Sequence, residues 1–371
     1  MPDLGVRLQL LVGKTVPRPA SYAVMEAFVS LDVSNSDQGF DGFQMTFTLG
    51  KDSTLDYGLV MSGVFDPPNR MVIVAIIGGL PGVLIDGVIT SHQVMPSNRP
   101  GESTLVVSGM DISIMLDLEE KNATHPNQPD SVIVTKLLAN YLKYGLAPQV
   151  TPTTDIPIQV DRIPTQQRTD LAHIRELARR NGFVFYVEPT AAPGFSTAYW
   201  GKDNRQGVPQ RALTIGMGAD SNVDQPINFN FDALGPATPE VNLFDPQKRT
   251  ATSIPVPSGL RPPLARRPAT SLRTTIARDT ANLDSAQVAL RAVSETTETT
   301  DAVRATGEVD AVRYGRVLRA RQLVSVRGVG YSYDGDYYVK DVHHRIRHGE
   351  YKQSFTLTRE GHEALKRFVS T

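Results

Sequence analysis

With 371 residues, the chain exceeds the usual single-domain range of about 100–200 residues, so two or more compact units are expected. Hydrophobic residues make up 40% and charged residues 21%, a globular balance that excludes disorder, collagen-like repeats and a coiled-coil rod. The 38 basic and 39 acidic residues nearly cancel, leaving no global field toward nucleic acid or an acidic membrane, and zero Cys excludes disulfides, thiolate metal sites, iron–sulfur clusters and a cysteine nucleophile.

The first apolar run, Leu8 to Val12, is shorter than the roughly 7–15 residues of a secretory core, and no signal peptide is expected. Met71 to Ile89 has about the length of a membrane span. Gly78, Gly79, Pro81 and Gly82 break it, Asp86 lies inside it, and β-branched runs flank the break. Two strands joined by a turn fit that pattern, and a spanning helix does not. Upstream, Val29, Leu31 and Val33 alternate with polar residues, as do Phe43, Met45, Phe47 and Leu49 after a polar turn. With Ser103 to Ser108, at least five strands are expected, forming an antiparallel β-domain.

From about residue 111 the period changes. Ser131 is placed to cap a helix running to about Tyr144, with Ile133, Leu137, Leu138 and Tyr141 on one stripe and Gly145 as a left-handed stop. A second helix opens at Thr169 or Asp170 and buries Leu171, Ile174, Leu177 and Ala178. Arg179 and Arg180 suit its C-terminal dipole, and Gly182 ends it. Phe183 to Val187 then reads as a strand, completing a compact α/β module.

Eight prolines follow (Pro236, Pro239, Pro246, Pro255, Pro257, Pro262, Pro263 and Pro268), a density that predicts a long extended arm without regular elements. A helix is expected over 278–297, with Leu283, Ala286, Leu290 and Val293 on one face. Strands return at Val317, Tyr337 to Val342 and Gln353 to Thr358, with turns at Asp334-Gly-Asp and His348-Gly-Glu. No period of about 20–50 residues recurs.

The phosphate loop, the His-Glu-x-x-His helix and the Gly-x-Ser-x-Gly elbow are all missing. Gly216-Met-Gly and Gly328-Val-Gly each lack the third glycine of a dinucleotide fingerprint and read as turns. His343, His344 and His348 invite a metal test, but neighbouring strand residues face opposite ways, so a packed and a solvated His are expected instead. Asp111 and Asp117 are the carboxylates weighed as a glycosidase pair, with turn or cap roles preferred. Arg261, Arg266, Arg267, Arg273 and Arg278 form the most one-sided charge. Without interleaved aromatics they suit docking on an acidic protein surface better than nucleic acid. No catalytic, cofactor-binding or metal-ligating residue is assigned, and no cofactor is expected.

The stretch Gln167-Arg-Thr-Asp-Leu-Ala-His-Ile-Arg-Glu-Leu-Ala-Arg-Arg-Asn-Gly-Phe-Val-Phe-Tyr-Val-Glu resembles one shared by phage late control D proteins, phage baseplate hubs and the hub part of type VI secretion spike proteins. Gly109-Met-Asp-Ile-Ser, the helix ending in Tyr144-Gly-Leu, and Gly335-Asp-Tyr-Tyr-Val-Lys-Asp-Val-His-His with Gly349-Glu-Tyr and Phe355 are similar to three further family segments. The resemblance implies an α+β, β-rich fold, with two tube-like antiparallel β-domains flanking an α/β module. It divides the chain into β-domain I (1–112), a middle domain (113–205), β-domain II (206–245 and 302–371) and a proline-rich arm plus helix inserted in the latter (246–301).

The function it implies is that of a structural baseplate hub, a homotrimer adapting a hexameric inner tube to a trimeric spike. Partners would be other copies of itself, a separate spike protein, the tube protein and other baseplate proteins, with no sequence-specific nucleic acid and no membrane insertion. The spike is expected on another polypeptide because the chain stops soon after the closing hairpin. The protein would be made in the cytoplasm and join a virion or a contractile injection particle. A tail-associated peptidoglycan hydrolase and a receptor- or carbohydrate-binding tail protein are the alternatives. Two expectations follow within the trimer: sheet edges of the β-domains meet across subunits, and the arm at 246–278 contacts a neighbour.

Overall fold

A computed structural model describes residues 5–14, 16–50, 57–99, 101–153, 163–223, 225–245, 250–255, 262–276 and 300–365. The first part of the chain forms β1 (Val6–Gly13), β2 (Arg18–Pro19), α1 (Tyr22–Glu26), β3 (Phe28–Ser36), β4 (Gly42–Thr48), α2 (Gly58–Met61), β5 (Arg70–Ile77), β6 (Leu80–Met95) and β7 (Thr104–Asp111). Alternation explains most of these strands. Leu31, Val33, Phe43, Met45 and Phe47 turn to one face and are fully or nearly fully buried with Met71, Ile73 and Leu105. The stretch weighed as a membrane span is the β5–β6 hairpin, turned at Gly78 and Gly79 with φ of 56° and 83°.

The middle module comprises β8 (Glu120–Thr124), α3 (Asp130–Ala139), β9 (Leu146–Val150), β10 (Thr165–Thr169), α4 (Asp170–Arg180), β11 (Val184–Pro189) and β12 (Ser196–Gly201). Its core gathers the stripes of both helices around Trp200, whose indole N–H donates to the Ile174 carbonyl at 3.2 Å. Thr169 caps α4 by accepting from the Ala172 N–H, while Asp170 is buried among Lys121, Gln166 and Tyr141. The cap of α3 differs from expectation. Pro129 occupies it, because Asp130 is held by Arg180 and Asn181 and Ser131 is bonded to Thr153. The helix also stops at Ala139, and a separate 3-10 turn, Leu142–Tyr144, precedes Gly145.

The chain continues through β13 (Gln210–Thr214), β14 (Asn228–Phe231), β15 (Ala237–Asp245), β16 (Thr250–Pro255), β17 (Ala265–Pro268), β18 (Arg273–Ile276), β19 (Val303–Asp310), α5 (Ala311–Tyr314), β20 (Leu323–Arg327), β21 (Gly335–Arg347), β22 (Glu350–Arg359) and β23 (Gly361–Ala364). The proline-rich stretch therefore contains strands, contrary to the sequence reading. β15, β16 and β18 form one small sheet and β17 pairs with β23. Two of its described prolines sit where ladders stop. Pro255 and Pro268 end their strands, where a missing N–H breaks no interior ladder, whereas Pro239 precedes the span paired with β16 but stands opposite Thr275 within the β15–β18 ladder. β15 thus joins the arm's sheet, although it was assigned to β-domain II. The helix expected over 278–297 lies outside the described residues. Val317 is not in a strand; it fills the space left by the absent side chain of Gly82, with its Cγ2 only 2.8 Å from where a Cβ would stand.

Two stretches of chain share one strand order. Ignoring the two-residue β2, the first part runs β1-β5-β6-β7-β4-β3, and the last runs β13-β20-β21-β22-β19-β14. Numbered within each set, both read 1-4-5-6-3-2, and a short helix (α2, α5) follows the third strand in each. One strand breaks the match in direction: β1 is antiparallel to β5, whereas β13 is parallel to β20. The two sets have their own cores, yet β21 pairs with β3 and fuses them into a single 13-stranded sheet.

Candidate functional site

The chain's most informative site is the joint between the two strand sets. β21 pairs with β20 through Gly335–Tyr338, passes a bulge at Lys340, and pairs with β3 from Asp341 to Arg347, keeping β22 on its other side. Opposite residues include Asp341 with Ser36, His343 with Ser34, and His344 with Val33. Toward the core lie Val33, Leu31, Val342, His344 and Ile346, all buried. The outer face carries Asp32 and His343, whose carboxylate and imidazole stand 3.5 Å apart.

The equivalent step in the first set has the same geometry. There Val88 faces Met110, Ile89 faces Gly109, and after a bulge at Thr90, Ser91 faces Ser108. In the second set Tyr338 faces Thr358, Val339 faces Leu357, and after the bulge Asp341 faces Thr356. The fourth strands agree too: Arg70 opposes Val88 and Ile73 opposes Ile85, just as Leu323 opposes Tyr338 and Val326 opposes Gly335. Strand order, register and bulge thus recur together. A bulge bends its strand and ends one pairing, which is how β21 leaves β20 and meets β3.

Arg321 locks the joint. It is buried at positive φ (63°), its Nε donates to the Ser36 carbonyl at 2.9 Å, and its Nη2 also bonds Asp41. Nη1 lies 3.7 Å from Glu188 of the middle module, and the guanidinium covers the Tyr186 ring at 4.6 Å. One cation therefore touches both strand sets and the module. Arg70 forks onto Asp86 at 2.7 Å on both arms and reaches the Gly194 carbonyl, tying β5 and β6 to the loop before β12. Arg205 is similarly ringed by Asp203, Asp301 and Glu360. It borders a cleft of about 240 Å³ with Arg175, Tyr338 and Lys340.

Residues that the sequence singled out are engaged structurally. His344 is buried, with its Nδ1 3.0 Å from the Tyr351 hydroxyl, and burial holds its imidazole down at about 3, helped by Arg319 and His343. His343 turns the other way, and His348 meets the Phe28 carbonyl at 2.7 Å. No cluster of three metal-ligating side chains occurs among the described residues. Asp111 accepts from the Asp41 and Ser113 N–H groups, both at 2.8 Å; burial, then the Asp41 charge, pushes its carboxyl up to about 6. Asp117 accepts from the Thr169 hydroxyl at 2.5 Å. Of the arginine cluster, Arg261 and Arg278 lie outside the described residues. Arg267 pairs with Glu363 at 3.0 Å and Arg266 approaches the Tyr331 hydroxyl at 3.4 Å. Arg273 donates to the Leu234 carbonyl. The described part of the arm thus docks on its own chain through β17 and β23.

Two of the sheet's open edges are the equivalents of those joined at β21 and β3. Among the described residues, no strand pairs with β14 on the side away from β19, or with β6 from Ser91 to Met95 on the side away from β7. Phe231 is 38% exposed and Met95 43%. Sequence reasoning missed β14, Arg321, Arg205 and the shared strand order and bulge of the two sets.

No family model matches the sequence and no curated protein matches it. Among solved structures, the tail protein from Neisseria meningitidis MC58 is similar with a TM-score of 0.64 at 13% identity, covering 96% of this chain and 97% of that one. The 43 kDa tail protein of prophage MuSo2 from Shewanella oneidensis gives 0.62 at 14% identity, covering 96% and 99%. The E. coli c3393 protein, a component of the type VI secretion system, gives 0.54 at 12% identity, covering 93% and 78%. At these identities the likeness establishes the fold, an α+β, β-rich architecture shared with tail and secretion-system proteins.

Proposed function

We propose that this chain is the structural hub of a contractile tail or phage-like injection apparatus, a homotrimer that adapts a hexameric inner tube to a trimeric spike. One observation carries the reading: the strand order 1-4-5-6-3-2 occurs twice in one chain, with the same bulge at the same step. Three copies of a chain holding two alike strand sets offer six alike positions to a sixfold tube while remaining threefold toward a spike. The fold shared with phage tail proteins and a type VI secretion component supports it.

In this reading the chain works through interfaces and is not an enzyme. Support comes from the carboxylates weighed for catalysis: Asp111 is spent on backbone N–H groups and Asp117 on the hydroxyl that caps α4. Its partners are two further copies of itself, the tube protein, the spike and other baseplate proteins, and its place is in a virion or injection particle. Co-expression with the spike protein from the same gene cluster tests it. The expected product is a complex whose native mass contains three copies of this chain. A stable monomer that ignores both spike and tube, or hydrolysis of purified cell wall abolished by one carboxylate substitution, would overturn it.

A further inference from the structure

From the internal joint we infer which edges meet between copies: β14 of one copy pairs antiparallel with the Ser91–Met95 half of β6 in the next, with Asn230 opposite Gln93. The inference rests on the trimeric reading above and adds the contact itself.

Within the chain, the fifth strand of the second set, past its bulge, pairs with the second strand of the first set. The fifth strand of the first set is β6, which carries the same bulge at Thr90 and then runs on with its far edge open. The second strand of the second set is β14, whose far edge is also open. Of the edges open among the described residues, these two are the topological counterparts of the two edges already joined. Exposed ladders of N–H and C=O groups are templates for strand addition.

Register follows from the shared ladders. Gly42 faces Met110 and Arg304 faces Thr358, which equates β4 with β19. Through those strands Val33 corresponds to Phe229 and Ser34 to Asn230. Through the bulges His343 corresponds to Gln93 and His344 to Val94. Transferring His343–Ser34 and His344–Val33 therefore predicts Gln93–Asn230 and Val94–Phe229, with His92–Phe231 and Met95–Asn228 on either side.

The side chains agree with this register. Phe229 packs partly buried on the second core and Val94 on the first, so the pair closes the seam on the core side, as Val33 and His344 do inside the chain. The opposite face pairs two carboxamides, Gln93 and Asn230, able to bond each other across the strands. The contact uses two different surfaces, so it is heterologous and propagates head to tail into a ring.

The test exploits the absence of cysteine from the chain. Directly opposed strand residues have Cα atoms about 4.5–5.5 Å apart, within disulfide reach. The Gln93→Cys/Asn230→Cys protein is oxidised alone and with the spike protein bound, then run on non-reducing gels. A covalent trimer is expected, reversed by reductant and absent from either single variant. A second in-register pair, Met95→Cys/Asn228→Cys, gives the same product and covers the case in which the first variant misfolds. The slipped pair Gln93→Cys/Asn228→Cys is the control; if it cross-links better than the in-register pairs, the register is overturned. A trimer by native mass with neither in-register bond overturns the pairing and leaves the hub reading standing. A chain monomeric both alone and with the spike overturns both.

Discussion

His344 of β21 stands directly opposite Val33 of β3, so the seam that unites the two strand sets has a neutral imidazole packed beside an aliphatic side chain. Burial lowers that imidazole from 6.5 to about 3. The folded state therefore refuses a proton that the unfolded chain accepts below 6.5. Stability from this group is full above 6.5 and falls as pH drops toward about 3, at up to about 1.4 kcal/mol per pH unit. The His344→Asn variant is expected to show a shallower acid loss than the parent in urea midpoints taken between pH 7 and 4. Parallel curves would show that the imidazole carries no part of the pH response.

Asp111 acts with the opposite sign. Its carboxyl rises from 3.8 to about 6, so the native state holds the proton more tightly than the unfolded one. This contribution is complete below 3.8 and is lost as pH climbs through about 6. Against Asp111→Asn, the parent is expected to lose relative stability between pH 4 and 7, read as the difference between the two denaturation series.

Gly109→Ala is expected to cost about 1–3 kcal/mol by overpacking. A Cβ there would stand 2.3 Å from Cζ of Phe43 and 2.4 Å from the Val88 carbonyl oxygen. Adding Phe43→Leu recovers only part of the loss, because the carbonyl belongs to backbone and cannot step aside. Full recovery in chemical denaturation would mean that the ring alone sets the constraint.

Arg321→Ala leaves Asp41, 2% exposed, buried without its cation. The expected loss is about 3–5 kcal/mol. Arg321→Lys retains charge but not the fork that serves Ser36 and Asp41 together, and is expected to fall between the alanine variant and the parent. Equal urea midpoints for the lysine variant and the parent would contradict the role given to the planar head.

Strands with one wet face were legible: β3, β4, β7, β21 and β22 alternate, and their inward residues are the buried ones. The segments Gly109-x-Asp111 and Thr169-Asp170 were also legible, and their causes are now physical: the Phe43 ring and a 3-10 cap for one, a helix cap with a buried carboxylate for the other. β14 escaped because four residues, Asn-Phe-Asn-Phe, are too short for a period to stand out from a loop. Arg321, Asp41 and Glu188 meet only through the fold, and no spacing announces them. Two alike β-domains were implied only by the family resemblance, because the residues themselves carry almost no trace of the recurrence. Equivalent positions hold Val88 and Tyr338, Ile89 and Val339, Gly109 and Leu357, so little repeats at the level of side chains beyond Asp86 and Asp336.

The twin bulges have a consequence that amide exchange would register. Thr90 and Lys340 share no chemistry, yet each stands at the step where its ladder skips a residue. Deuterium uptake is blind to side-chain identity and follows backbone pairing, so the two halves of the polypeptide are expected to write the same protection profile in unrelated letters. Slow uptake at Gly335–Tyr338 and Ile85–Val88 would flank a fast step in each. Beyond that step protection resumes through Arg347 in the free chain, while along Ser91–Met95 it deepens only on assembly.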